Sequence, residues 1–255
     1  MKTRLFAIVA ASLLACDVNA AAAQPSYAVI SLVGDKLDVV TFQPKIGSQL
    51  DSNTHQTLTL PQDELDIAAL RAINRVLRAT APGAPVALLA ASTPDSFADQ
   101  DRIFSGSHVT LPAEVDAAVR REGATQLVLV TRHRGDARLR MADGYVGSGK
   151  IDGLGFYLDT EMQTEQRQTQ VRSVGYIAPF VYVDVSLVDL ASSTLLRQDT
   201  VMASRAIGAS NKESSVHPWD ALSSAEKLAM LNKLLSDELQ RVVPSLITGT
   251  PVKAQ

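Results

Sequence analysis

The stretch Glu114-Val115-Asp116-Ala117-Ala118-Val119-Arg120-Arg121-Glu122-Gly123-Ala124-Thr125-Gln126-Leu127-Val128-Leu129-Val130 decides the fold class. Val115, Ala118 and Val119 recur at helical spacing. Pro112, just before them, suits a first helical turn, where its missing N–H goes unmissed. Gly123 suits the stop, because it accepts the left-handed backbone that ends many helices. Leu127 to Val130 then run without alternation, as a strand covered on both faces does. A helix that ends in Gly-Ala and feeds a buried strand at once belongs to an α/β layer, helix packed on sheet.

Outward from this passage the same reading holds. Residues 27–33 and 36–42 read as strands joined at Gly34-Asp35, a hairpin by their proximity. Residues 44–62, with Pro44, Gly47, Asn53 and Pro61, read as a loop. Asp63 is placed to cap a helix in which Ile67, Leu70, Ile73 and Leu77 form the apolar stripe. Arg71, Arg75 and Arg78 lie on another face of that helix, which reads as solvated. A buried strand is expected at 85–91. Further on, 180–190 alternates Val181, Val183, Val185 and Leu187 against Tyr182, Asp184 and Ser186, the pattern of a strand half-buried on one face. Its partner returns at 195–203. A last helix begins near Ser223, with Glu226 completing a capping box, and Pro244 is expected to stop it.

Between these elements, residues 143–155 hold Gly144, Gly147, Gly149, Gly153 and Gly155, and 161–170 is polar and Gln-rich. This 143–170 segment reads as a flexible excursion. The expected organisation is one layered α/β domain over 27–245, about three helices on a mixed β-sheet, with a tail at 246–255.

The N-terminus carries the most specific signal. Lys2 and Arg4 precede an apolar run from Leu5 to Ala15, too short to span a bilayer but suited to a signal peptide. Val18-Asn19-Ala20 and Ala21-Ala22-Ala23 offer small residues for cleavage, giving a leader of 1–20 and a tether at 21–26. Leu13-Leu14-Ala15-Cys16 equally resembles a lipobox, which would end the leader at 15 and leave Cys16 as a lipidated N-terminus. Cys16 is the single cysteine, so the mature fold contains no disulfide. The expected location is the periplasm, with a membrane reached only through that lipid.

The chain has a net charge of −3 and pI about 5.8, which gives no global attraction to nucleic acid. Gly144-Tyr145-Val146-Gly147-Ser148-Gly149-Lys150 partly matches a phosphate-binding loop, but Ile151 stands where magnesium needs Ser or Thr. His55, His108, His133 and His217 are not spaced as metal ligands. Ser105, Ser107 and His108 lie too close in sequence to present nucleophile and base to each other, and no G-x-S-x-G elbow occurs. Arg134-Gly135-Asp136 reads as turn chemistry. No catalytic, cofactor or metal residues are therefore assigned. The densest basic cluster, Arg132, Arg134, Arg138 and Arg140 with His133, is the candidate contact surface for an acidic partner or a phosphate-bearing envelope component.

Three passages together resemble one superfamily: the quoted helix and strand, the hairpin Val183-Asp184-Val185-Ser186-Leu187-Val188-Asp189-Leu190 to Leu195-Leu196, and the closing helix. It is the periplasmic α/β domain of curli-secretion lipoproteins, penicillin-binding-protein activator lipoproteins and the TolB amino-terminal domain. The chain departs from it in lacking a Gly-rich signature at the first strand, and in having Ser192-Ser193-Thr194 where a Thr-Gly turn is usual. The resemblance implies a non-catalytic envelope protein that acts through protein contacts or as a homo-oligomer. Two rival functions follow from the residues: a periplasmic hydrolase with scattered Asp, His and Ser, and a secretion-channel subunit whose 155–185 strands enter a membrane.

Overall fold

The computed structural model describes residues 24–34, 36–44, 52–60, 64–90, 100–166, 171–208 and 217–249. The expected leader, Cys16, the 21–23 part of the tether and the Asp63 cap lie outside the described residues.

In chain order the strands and helices begin with β1 (Tyr27–Ser31), β2 (Lys36–Thr41), β3 (Thr54–Thr59), α1 (Glu64–Thr80) and β4 (Val86–Ala90). A small hairpin, β5 (Phe104–Ser105) and β6 (His108–Val109), leads to α2 (Ala113–Arg121) and β7 (Gln126–Arg132). Short strands follow: β8 (Arg134–Asp136), β9 (Leu139–Met141), β10 (Gly144–Val146) and β11 (Lys150–Asp152). The long β12 (Leu154–Gln166), β13 (Val171–Asp189) and β14 (Thr194–Ser204), the short β15 (Ile207–Gly208) and α3 (Ser224–Thr248) complete the elements of the described residues. This is the α/β layered architecture the sequence implies, three helices on a mixed sheet.

The sheet forks. The 19 residues of β13 pair along one edge with two different strands. Its first half meets β12, down to Val181 opposite Leu154, and its second half meets β7, from Val183 opposite Arg132. One branch continues through β7, β1 and β4, all parallel; the other runs through β12, β2 and β3. So β1 and β2 do not form the expected hairpin; they lie in different branches, β1 beside β7 and β2 beside β12. The 44–62 loop likewise contains an edge strand, β3, whose polar side chains hid it from a reading based on apolar alternation.

Both faces of the sheet are covered. On one, α1 and α3 pack on each other and on Val181, Val183, Val185 and Leu187 of β13. On the other, α2 covers Leu127, Leu129 and Val188, while Ala137, Leu139 and Ile151 of the small hairpins cover Tyr157, Tyr176, Phe180 and Tyr182. The half-buried reading of 180–190 is corrected here, since Tyr182 and Ser186 are fully buried. Tyr182 tolerates this because its hydroxyl donates to the Asp136 carbonyl at 3.0 Å and accepts the Arg138 N–H at 3.1 Å. Of the strands weighed as membrane-inserting, Phe156, Tyr157, Leu158, Ile177, Phe180, Val181 and Val183 are buried within the chain, while Val174 is exposed.

Three local expectations change. Ile67 is 41% exposed, and Leu65, Ala69, Leu70, Ile73, Val76 and Leu77 form the buried stripe of α1 instead. The 85–91 strand is an edge strand with an exposed Leu88, not a buried one. Pro244 does not stop α3, which runs on to Thr248, buries Leu246 and ends at Gly249. The capping box of Ser223 and Glu226 forms as read. Trp219 closes the core edge before α3, edge-on to Phe156 at 5.6 Å, with the Lys227 ammonium 3.8 Å from its ring centre.

Candidate functional site

The fork leaves a crevice between its branches, at the carboxyl ends of the parallel strands β1 and β7. In open α/β sheets this is where ligands tend to bind. Its inner end is closed by the chain. The Gln100 side chain donates to the Leu32 carbonyl at 2.6 Å and accepts the Arg132 N–H at 2.9 Å, so one amide spans both strand ends. The Asp66 carboxylate, buried at the start of α1, accepts the Val33 and Gly34 N–H groups, each at 3.1 Å.

The outer end opens as a groove of about 250 Å³. Lys36 and Asp38 come from β2, His55 and Thr57 from β3, Arg132 from the end of β7, Arg134 from β8, and Lys150 and Asp152 from β11. The spacing explains the gathering. Lys36 and Asp38, Arg132 and Arg134, and Lys150 and Asp152 are each two residues apart, which in extended chain puts both members on one face. Antiparallel pairing then sets Arg134 opposite Asp152 and Asp136 opposite Lys150. Three charged pairs at that spacing were a legible signal in the sequence, but their convergence depends on the fork.

Within the groove, His55 Nδ1 lies 3.0 Å from Asp38 Oδ2. Lys150 Nζ lies 2.6 Å from Asp136 Oδ1 and holds that carboxyl below its usual range. The Arg132 guanidinium lies over the strand ends, with Nη2 at 3.5 Å from the Val33 carbonyl and 3.4 Å from that of Lys36. Its stem packs on Gly153, where φ is +63° and a Cβ would come within 3.0 Å of Arg132 Cδ. Burial pushes the Asp38 carboxyl above the ordinary range, against the pull of its His55 hydrogen bond. Burial also raises Asp152, with Asp38 and Asp101 adding to it while Arg132 and Arg134 oppose. A larger depression of about 390 Å³ lies near the end of α1, but Arg78 is its one ionisable lining residue.

The four arginines of the basic cluster are divided. Arg132 and Arg134 line the groove, Arg138 stacks over the Tyr145 ring at 5.0 Å, and Arg140 stands on β9, whose backbone binds Ser204. The Gly144 to Lys150 segment is two strands and a turn, with no helix following to receive a phosphate. Ser105, Ser107 and His108 are exposed around the β5–β6 turn. A second histidine pairs with a carboxylate, His133 Nδ1 with Asp184 Oδ2 at 3.1 Å. There the hydroxyl sits at the wrong end for a nucleophile, since Thr200 Oγ1 donates to Asp184 Oδ1 at 2.5 Å. Among the described residues, no three His, Cys, Asp or Glu gather as metal ligands.

The second feature is an arm. The 143–170 segment, read as an excursion, is strand for most of its described length, and β12 leaves the sheet at a bulge. Asp159 faces Tyr176 and Gln163 faces Val174, so Thr160, Glu161 and Met162 oppose Gly175 alone. The Asp159 carboxylate holds the bulge by accepting the Glu161 and Met162 N–H groups, each at 2.8 Å. Beyond it Gln163 to Gln166 pair with 171–174, and among the described residues these segments pair with nothing else. The sequence reading located the segment but missed that it is a paired ribbon, because Gln and Thr mark strand weakly.

No family model and no curated protein matches the chain. Among solved structures, it is similar to protein XCC0632 from Xanthomonas campestris, at 12% identity over 89% of this chain and 86% of that one, TM-score 0.38. It is similar to the PelC dodecamer from Paraburkholderia phytofirmans at 10% identity, over 85% and 86%, TM-score 0.32. Protein CT253 from Chlamydia trachomatis gives 13% identity, 89% and 99%, and TM-score 0.34. Likenesses at this level leave the groove and the arm to be read on their own chemistry.

Proposed function

We propose that this is an exported cell-envelope protein that works by binding another protein chain, its own copy or a partner, rather than by catalysis. The arm carries this reading. A two-stranded ribbon is marginal in water by itself, and among the described residues neither of its edges pairs with another strand, which leaves N–H and C=O groups that template a further strand. An added strand from another chain satisfies those groups, the mode of β-augmentation. Val174, on the arm and 59% exposed, offers an apolar side chain beside those edges. Export follows from the leader-like N-terminus with Lys2, Arg4 and the 5–15 apolar run, and Cys16 is the proposed lipid anchor.

A photo-cross-linking amino acid at Val174 tests the reading in cells producing the full chain. A covalent adduct with a protein is expected there, and none from the same residue at Arg121, exposed on α2. Adducts equally frequent at both positions, or at neither, would refute it. Mass spectrometry of the same preparation tests the anchor, since Cys16→Ser removes an acyl mass only from a lipoprotein.

A further inference from the structure

We propose that the groove at the fork is a binding site for a compact oxyanion, the phosphate or carboxylate of an envelope sugar or headgroup. Four cationic side chains from four separate strands, Lys36, Arg132, Arg134 and Lys150, line it beside the carboxyl groups of Asp38 and Asp152, with Asp136 paired to Lys150. This local excess stands in a chain whose net charge is −3, so the gathering opposes the overall balance. The planar guanidinium groups of Arg132 and Arg134 both line the groove, and an oxyanion placed between them accepts charge-assisted hydrogen bonds.

The groove is built rather than incidental. Gln100 fixes the backbone beneath Arg132, and Gly153 lets the Arg132 stem lie flat, which aims the guanidinium along the groove floor. Arg134 is the reader. It lies opposite Asp152 in the β8–β11 pairing, is exposed, and its planar fork matches two oxygens of a phosphate or carboxylate. The volume of about 250 Å³ suits one anionic group and part of the sugar or glycerol that bears it. Thr57 and His55 on β3 form the wall that would meet that neutral part. The proposal is independent of the arm and of any protein partner.

The test is a titration of the full-length protein, followed through its backbone amide resonances, with inorganic phosphate and separately with glucuronate. Glucose serves as the uncharged control. Saturable shifts confined to residues 36–38, 55–57, 132–134 and 150–152 are expected with at least one anion and not with glucose. Arg134→Gln should weaken that binding roughly tenfold or more, the effect of losing one charged hydrogen bond. Arg140→Gln, outside the groove, should leave it unchanged. Phosphate alone, glucuronate alone or both would each support the site and name its chemistry. Shifts that never saturate, or that survive Arg134→Gln undiminished, would overturn it.

Discussion

Gly155 on β12 faces Asp38 on β2 across their parallel pairing, so closely that a methyl group on Gly155 would overlap the Asp38 carbonyl. The contact seats β2 against β12 and thereby places Lys36 and Asp38 at the mouth of the groove. The Phe180 ring closes in on the same glycine from the other strand.

Gly155→Ala must therefore push backbone against backbone, which no rotamer change can relieve. A loss of about 2–3 kcal/mol is expected in urea unfolding, the upper part of the range for overpacking. An unchanged midpoint would show that the two strands have room to separate.

The groove carboxyls give a pH signature. A carboxyl whose folded pKa is raised binds its proton more tightly in the folded chain than in the unfolded one. Its contribution to stability is then full below the unfolded value of 3.8 and is lost as pH rises through the folded pKa. Removing it should thus matter increasingly in the variant's favour. The stability of Asp152→Asn minus that of the parent should climb as pH rises from below 3.8 toward neutrality, and level off once both states are ionised. Asp38→Asn should do the same, with the added loss of its His55 bond. A flat or falling difference would mean that Arg132 and Arg134 outweigh burial there.

Two buried polar groups should behave oppositely. Asp66 satisfies two backbone N–H groups, and Asp66→Ala strands them both, which is expected to cost about 2 kcal/mol or more. The Ser186 hydroxyl is fully buried beside Leu129 with no hydrogen-bond partner among the described residues. Ser186→Ala should be neutral or stabilising. Equal losses from the two substitutions, read by thermal unfolding, would show that Ser186 is satisfied in solution.

What could be read in advance followed from side-chain chemistry repeated at short range. The α2 to β7 passage and the Ser223–Glu226 box both act within a few turns, so the elements and the layer type were legible. The fork was not. Whether β2 turns back onto β1 or joins the other branch depends on what β7 and β12 offer, strands that begin only at Gln126 and Leu154. The groove inherits that blindness: Arg132 and Arg134 were visible as charges, but their companions Lys36, Asp38, Lys150 and Asp152 join them only through the fork. Pro244 misled for a local reason, since α3 is held by Val242, Val243 and Leu246 in the core and this burial outweighs one lost helical bond.

The arm is the element on which the binding role stands. Residues 164–173 can be replaced by a Gly-Ser turn between Gln163 and Val174, which already face each other in the ribbon. The decisive comparison is the sedimentation velocity of the fluorescently labelled intact and trimmed proteins in solubilised envelope extract. The intact chain is expected to travel in a protein complex heavier than its monomer, and the trimmed chain as a monomer that melts at the same temperature. Both chains travelling in the same complex, or both as monomers, would contradict a binding role for the arm.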